Sequence, residues 1–241
     1  MENLQDTEDL SQGLEPIFIT HKEQVKPKTN KSYPRLYGHH LCPFVEKARL
    51  ALAARNIEYQ KCDIDLEQKP QWHIDINGGT VPFLELPNGE FVLSSTGIID
   101  YINISYPDQG TRQSLKTATK MLEFKSAIEQ LDKHHPAYYP IYFKKFSFND
   151  EDVKNLQEKL QNIEDYLKVH QHPVSGFAFG TENPTQLDFH IYPVCSRLDY
   201  LIGSVFEENI GKKYFLMKII HSQINQFKQS EIEKNLKHKV Y

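Results

Sequence analysis

The sequence predicts an N-terminal α/β domain followed by an all-α domain. In the first half, strand-like and helix-like runs alternate and lead to a hairpin signal, Asn88-Gly89 between two apolar runs. Beyond Asp108 the β signals fade and helical periodicity takes over. We therefore expect an N-terminal extension over residues 1–32, the α/β domain over residues 33–107 and the all-α domain over residues 112–241.

Strands and helices are predicted to alternate through the α/β domain. In chain order they are a strand near 35–37, a helix near 43–55, a strand within 57–64, strands over 81–86 and 91–94, and a helix over about 96–105. Pro43 supports the first helix, because proline suits the first helical position, where its missing N–H costs nothing. The stretch around Trp72 is predicted to be irregular, and the extension to be a tail with Ile17-Phe18-Ile19 as its apolar island.

The all-α domain is predicted from helical runs near 112–133, 151–169, 185–202 and 211–228. The third run opens with Thr185-Gln186-Leu187-Asp188, a capping box. In such a box Thr185 accepts a hydrogen bond from the first turn, and Asp188 reaches back to the helix start. This motif is expected to be structural.

The charge balance argues against one broad class of partner. The chain has 28 Lys and Arg against 32 Asp and Glu, so its net charge is −4, and we expect no nucleic-acid surface. No apolar run is long enough to cross a bilayer, and the acidic, polar start of the chain is unlike a signal peptide. We therefore expect a cytoplasmic protein that does not insert into membranes.

The three cysteines Cys42, Cys62 and Cys195 cannot form a complete set of disulfides, and their wide spacing matches no zinc site. Their number is consistent with a reducing compartment, and the spacing predicts no metal. Cys62, in a strand, and Cys195, in a helix, are expected to be small buried residues without a chemical role.

Cys42 differs from the other two because it lies where a loop becomes the first turn of a helix. Backbone N–H groups and the helix dipole stabilise an anion there, so the position favours a reactive thiolate. Val45 stands where a Cys-x-x-Cys motif carries its second cysteine, which indicates that the second thiol comes from a small molecule. His39-His40 lie close by, but no residue at ligand spacing completes a metal site, and we expect them to be solvated loop residues.

Two stretches of the sequence resemble omega-class glutathione transferases, over roughly residues 33–202. The first runs from Cys42-Pro43-Phe44-Val45 to Leu52 and continues with Lys69-Pro70-Gln71-Trp72, and the second runs from Asp188 to Leu198. The resemblance implies a thioredoxin-like N-terminal domain with a cis-proline position at Val81-Pro82, just before the hairpin. It also implies a homodimer.

The implied activity is glutathione-dependent thiol transfer, in which Cys42 forms a mixed disulfide with glutathione, the co-substrate. A small electrophilic or disulfide acceptor is the implied second substrate, and thioltransferase and dehydroascorbate reductase activities are both included. The implied glutathione site consists of Phe44, Lys69, Val81, Pro82, Ser95 and Thr96. In it, Lys69 supplies a positive charge for a ligand carboxylate, and Val81 offers its backbone N–H and C=O in the manner of an added strand.

One departure from the omega-class pattern concerns the start of the helix that carries Ile98-Ile99. The family usually has Glu-Ser there, and the pair aligned with it in this chain is Ser95-Thr96. Thr96 keeps a hydroxyl, whereas Ser95 lacks the negative charge that contacts the γ-glutamyl amine. Losing a charged hydrogen-bond partner costs about 1.5–3 kcal/mol, so we expect glutathione to bind more weakly by about tenfold or more and Ser95→Glu to improve binding.

Two other classes of protein are also compatible with this sequence. A non-catalytic transferase-like scaffold or ligand carrier keeps the fold and the capping box and tolerates the change at Ser95. The intracellular chloride channel family shares the Cys-Pro-Phe start, but it needs a first helix able to enter a membrane. Four charged residues make this helix a poor candidate for insertion: Glu46, Lys47, Arg49 and Arg55.

Overall fold

The computed structural model describes residues 12–107, 109, 110, 118–133 and 185–201, together with some residues between 149 and 165. The chain divides into two compact units, one within residues 1–112 and the other within residues 113–234. The first unit is a mixed α/β structure, and the described elements of the second are helices. The predicted fold class is therefore confirmed.

A five-stranded mixed sheet in the order β1-β3-β2-β4-β5 forms the frame of the first unit. Its strands are β1 Ile17–Ile19, β2 Arg35–Gly38, β3 Gln60–Ile64, β4 Phe83–Glu85 and β5 Phe91–Leu93. β3 is parallel to both β1 and β2, whereas β4 is antiparallel to β2 and β5. The predicted Asn88-Gly89 turn joins β4 to β5, and Gly89 has a φ of 92°, which glycine adopts without steric cost.

Three helices accompany this sheet: α1 Pro43–Ala54, α2 Gln71–Asn77 and α3 Ser95–Ser105. α1 links the parallel strands β2 and β3, and it packs against α3. Proline at the first position favours its start, and its alanines and leucines are strong helix formers that are also buried. The helix ends at Ala54, and two residues later Asn56 has a left-handed φ of 52° and donates its N–H to the Ala53 carbonyl.

The structure differs from the sequence prediction in two short elements. Part of the predicted tail is strand β1, in which Ile19 is buried and Ile17 lies opposite Cys62 of β3. The stretch predicted to be irregular contains α2, whose Trp72 and Ile76 pack on the aromatic core around Tyr37. Both elements are too short for periodicity to show in the sequence, and tertiary contacts stabilise them instead.

Polar groups cluster at the end of the sheet where β2 begins, which we call the Arg35 end. They are the buried Arg35, Tyr37 and Glu85 of the strands and the partly buried Lys26 and Thr29 of the extension. The Glu85 carboxylate accepts hydrogen bonds from Tyr37 at 2.9 Å and Arg35 at 3.2 Å through one oxygen. Its other oxygen accepts from Lys26 at 2.5 Å and Thr29 at 2.7 Å. The extension is therefore attached to the sheet through this carboxylate.

In the second unit, helices α4 Ala118–Asp132 and α5 Gln186–Leu201 lie within two of the predicted helical runs and contact each other. Thr185 precedes α5, and its backbone N–H donates to Asp188 at 2.6 Å, as the capping box predicts. The Thr185 hydroxyl also donates to Asp188, at 2.8 Å. The predicted helix near 211–228 lies outside the described residues.

Candidate active site

The sheet register brings four loop segments to one end of the sheet. Gly38 at the end of β2 lies opposite Asp63 near the end of β3, and Phe83 at the start of β4 lies opposite Leu93 at the end of β5. Tyr37 also pairs with Phe83. The segments that follow β2, β3 and β5 and the one that precedes β4 therefore meet there. We call this the thiol end, consisting of residues 39–44, 65–70, 79–82 and 94–97.

Cys42 is the N-cap residue of α1, with an extended backbone at φ −73° and ψ 121°. Its thiol is free and partly exposed. The Cys42 N–H donates to the His39 carbonyl at 3.0 Å, and the Cys42 carbonyl accepts from Glu46 at 3.2 Å. These bonds fix the cysteine where the unpaired N–H groups of the first helical turn concentrate positive potential. The predicted placement of Cys42 at the helix start is thus found in the structure.

His39 stabilises the loop that leads to the cysteine. Its Nδ1 accepts the Leu41 N–H at 3.3 Å, and its ring stacks on His40 with centroids 4.5 Å apart. Burial, and then the proximity of His40, lower the pKa of His39 and favour its neutral form. No group of three His, Cys, Asp or Glu side chains among the described residues is arranged to hold a metal ion.

Val45 occupies the position of the second cysteine of a dithiol motif, and it is a core residue. Its side chain is fully buried. A Cβ atom added to Gly38 would lie 2.5 Å from Val45 Cγ1, so the helix packs directly on the backbone at the end of β2. Valine packing thus takes the place of a second thiol.

Two further predicted site residues, Phe44 and Lys69, also lie at the thiol end. The half-buried Phe44 ring has the Lys47 ammonium 4.9 Å from its centroid. The side chain of Lys69 runs along Gly79, where an added Cβ would lie 3.3 Å from Lys69 Cδ and 3.7 Å from its Nζ. Gly79 has a φ of 70° and no side chain, which leaves room for the lysine beside the loop that precedes β4.

The peptide bond between Val81 and Pro82 is cis, at the position where the resemblance implies it. Pro82 is buried, and Val81 is partly exposed. The segment lies directly before β4, and its register with β2 places it at the same end of the sheet as the cysteine loop.

The start of α3 is one residue earlier than the sequence prediction. Ser94 is the N-cap residue and accepts the Gly97 N–H at 3.1 Å through its hydroxyl. Ser95 is the first helical residue and is buried, whereas Ser94 and Thr96 are exposed. The N–H groups of Ser95 and Thr96 have no acceptor within the helix, so they are suited to bind a carboxylate.

Ser94 was missed by the sequence analysis. Its backbone has φ 63° and ψ 156°, a conformation that is otherwise found almost only in glycine. Such strain costs about 1–3 kcal/mol and tends to persist at functional sites. The available signal was a hydroxyl residue before a helix, but Ser94, Ser95 and Thr96 all satisfy it.

Cys62 is the counterpart of Cys42 within the core. It lies on β3, is completely buried, and packs with Tyr37 and Phe83. Burial raises the pKa of its thiol to about 12. Cys62 is therefore a structural residue, as expected.

Comparisons with known proteins agree with this architecture. Residues 36–110 match the family described as the glutathione S-transferase N-terminal domain. Glutathione S-transferase omega-1 of Mus musculus is 28% identical over 168 residues, which are 69% of this chain and 68% of that protein. Glutathione S-transferase DHAR2 of Arabidopsis thaliana is 29% identical over 163 residues, which are 67% of this chain and 69% of that protein.

Among solved structures, glutathione transferase Omega 3C from Trametes versicolor has the same fold. It superposes with a TM-score of 0.67 at 18% identity and covers 84% of this chain and 88% of its own. The resemblance to omega-class glutathione transferases that the sequence indicated is confirmed.

Proposed function

Because the chain is similar to omega-class glutathione transferases, we propose that it is an enzyme that transfers thiol groups with glutathione as co-substrate and Cys42 as nucleophile. One observation carries this proposal. Cys42 presents a free, partly exposed thiol at the N-terminus of α1, at the same end of the sheet as the Val81-Pro82 loop and the start of α3. A reactive thiol thus lies among backbone groups suited to bind a peptide.

Different loops of the thiol end bind different parts of glutathione. The N–H groups at the start of α3 bind the γ-glutamyl carboxylate, with Ser95 as the first helical residue and Thr96 exposed beside it. The backbone of Val81, shaped by Pro82, pairs with the cysteinyl part. Lys69 attracts the terminal carboxylate, and Phe44 packs against the ligand.

The reaction consists of two thiol–disulfide exchanges. The Cys42 thiolate attacks a sulfur of a glutathione mixed disulfide, so that a Cys42–glutathione disulfide forms and the acceptor leaves as a thiolate that takes up a proton. A second glutathione thiolate attacks the glutathione sulfur of this disulfide. It releases the Cys42 thiolate and glutathione disulfide, so that one free glutathione is consumed for each mixed disulfide that is reduced to a thiol. Dehydroascorbate is a further acceptor that the resemblance implies.

The two alternative classes predict different outcomes. A non-catalytic scaffold has an accessible Cys42 but no turnover. A chloride channel-like protein needs a first helix that inserts into a membrane, which the charged residues Glu46, Lys47 and Arg49 of α1 disfavour. Among the described residues, none of the helices combines the length and the apolar character needed to cross a bilayer. The comparisons favour the enzyme.

We extend the proposal to the assembly and location of the protein. The resemblance supports a homodimer in the cytoplasm, with a glutathione-binding domain over residues 33–107 and an all-α domain over residues 112–241. Light scattering coupled to gel filtration measures the assembly, and a monomeric mass would contradict this part of the proposal.

Mass spectrometry of the intact protein after incubation with oxidised glutathione tests the nucleophile. We expect one glutathione adduct, mapped by peptide digestion to Cys42, and we expect reduction of a glutathione mixed disulfide to fall to the uncatalysed rate in Cys42→Ala. Cys62→Ala and Cys195→Ala are the matched controls and should keep both the adduct and the turnover. Turnover in Cys42→Ala equal to that of the wild type would refute the mechanism.

A further inference from the structure

One backbone carbonyl at the thiol end is held by two side chains of α2. The Thr80 carbonyl oxygen lies 2.8 Å from His73 Nε2 and accepts from Asn77 Nδ2 at 3.0 Å. Because a carbonyl can only accept, His73 carries its proton on Nε2. Asn77 also donates to the Pro82 carbonyl, at 3.4 Å. The two side chains therefore bracket Val81, the residue between Thr80 and Pro82.

Fixing the Thr80 carbonyl also fixes the direction of the Val81 N–H. Both groups belong to one planar peptide unit, and in a trans peptide the C=O and the N–H point in opposite directions. The carbonyl points towards His73, which is buried, so the Val81 N–H points away from that side chain. Rotation of this peptide plane would break both hydrogen bonds to the carbonyl at once.

The ring of His73 is itself held firmly in the core. It is fully buried and stacks on Phe83 with centroids 5.5 Å apart and an interplanar angle of 23°. Phe83 in turn stacks on Tyr37 at 4.4 Å. This aromatic stack orients Nε2 towards Thr80.

The other nitrogen of the ring shows that packing alone does not account for a histidine here. Nδ1 of His73 is buried, and within the described part of the chain it has no hydrogen-bond partner. An unsatisfied buried polar atom destabilises the folded protein, and a phenylalanine in the same stack would avoid this cost. Burial and the nearby Lys69 cation lower the pKa of His73, so the neutral ring with its proton on Nε2 is the favoured form.

We propose that His73 and Asn77 are positioning residues that aim the Val81 N–H at the cysteinyl part of glutathione. This inference rests on the proposed function, because the ligand of Val81 is the glutathione of that reaction. Neither residue needs to touch the ligand. The sequence motif around Trp72 thus has a role beyond packing: it begins the short helix that carries both donors.

His73→Phe tests the proposal, since it keeps the stack on Phe83 and removes the donor to Thr80. Loss of one hydrogen bond worth about 0.5–1.5 kcal/mol raises the KM for glutathione about two- to tenfold. The KM for glutathione is also expected to rise in Asn77→Ala, and to rise further in the double variant. kcat at saturating glutathione and the rate of Cys42 alkylation by iodoacetamide should stay within about twofold of wild type, because a loss of uniform glutathione binding leaves kcat unchanged and alkylation does not require glutathione.

Two further variants separate positioning from general damage to the helix. Gln71→Ala removes an exposed side chain of α2 that donates to Asp75, and it should leave the KM unchanged. His73→Gln restores a donor and should recover part of the loss. If His73→Phe and Asn77→Ala both bind glutathione as Gln71→Ala does, the positioning role is wrong while the proposed function stands. If calorimetry detects no glutathione binding by the wild type, both proposals fail.

Discussion

The two ends of β2 differ in how far their polar groups are hydrogen-bonded within the protein. At the Arg35 end, Arg35 and Glu85 are buried and face each other, and side chains of the extension complete the hydrogen bonds of the carboxylate. At the thiol end, the strand is followed by the free thiol of Cys42 and the first turn of a helix. Polar groups with partners inside the molecule stabilise it, whereas groups left with unused hydrogen-bonding capacity at the surface can bind a ligand.

The two cysteines described show the same difference on a smaller scale. Cys62 and Cys42 lie on neighbouring segments of one unit, but burial in the middle of the sheet raises the pKa of Cys62 to about 12. Cys42 lies partly exposed at a helix N-terminus. The environment of each thiol, and not its residue type, decides which one is suited to attack a disulfide.

The largest expected effect on stability comes from Glu85→Ala at the Arg35 end. The change leaves Arg35, whose side chain is fully buried, without its carboxylate, and breaking a buried ion pair in this way costs about 3–5 kcal/mol of unfolding free energy. Urea unfolding followed by circular dichroism measures the loss. Glu90→Ala, at an exposed position of the hairpin turn, is the control, and its effect should stay within about 0.5 kcal/mol.

This variant also tests whether the two ends are independent. The folded fraction of Glu85→Ala should still take up glutathione at Cys42, because the network lies at the opposite end of the sheet. A loss of less than about 1 kcal/mol would show that the network does not stabilise the fold. A folded variant without the adduct would show that the ends are coupled.

An intermediate effect is expected from an acid placed at the start of α3. Because Ser95 is buried, the acid is placed instead at Ser94, the exposed N-cap residue. A carboxylate in Ser94→Glu gains a charged hydrogen bond to the γ-glutamyl amine, and calorimetry should show glutathione binding about tenfold more tightly. Because the hydroxyl that accepts from Gly97 is lost, the unfolding free energy should fall by about 1 kcal/mol.

Ser95→Glu is the matched variant, and we now expect it to destabilise the protein rather than improve binding, because it places a carboxylate at a buried position. Equal gains in affinity from both variants would mean that the helix start is more open than the structure shows.

The smallest expected effect is a dependence of stability on pH at the Arg35 end. Burial raises the pKa of Glu85, but hydrogen bonds from Lys26, Thr29 and Tyr37 outweigh it, and the folded-state pKa lies below the usual 4.5. The contribution of the carboxylate is therefore complete above about pH 4.5 and is lost as the pH falls through the lower folded-state value. The unfolding free energy of wild type should approach that of Glu85→Gln as the pH is lowered, and a constant difference between them would contradict this assignment.

Much of the architecture was predictable because its signals are local. Pro43 at a helix start, the Asn88-Gly89 turn and the Thr185 capping box each act over a few residues, and all three elements are found. The placement of Cys42 followed from the same helix signal. Strand β1 and helix α2, with three and seven residues, are too short to show a period of their own, and no hairpin turn marks β1 as the Asn88-Gly89 turn marks the equally short β4 and β5. They were missed because their stability comes from partners distant in the sequence.

By itself, the sequence determined the fold class, the position of Cys42 at the start of α1 and the resemblance to omega-class glutathione transferases. Only the tertiary structure decided which loops meet around the thiol, that α3 begins at Ser95, and that His73 and Asn77 hold the Thr80 carbonyl. The physical reason is the separation along the sequence between the residues that interact. Caps and turns depend on neighbouring residues, whereas strand register and the partners of a buried histidine depend on segments that meet only when the chain folds.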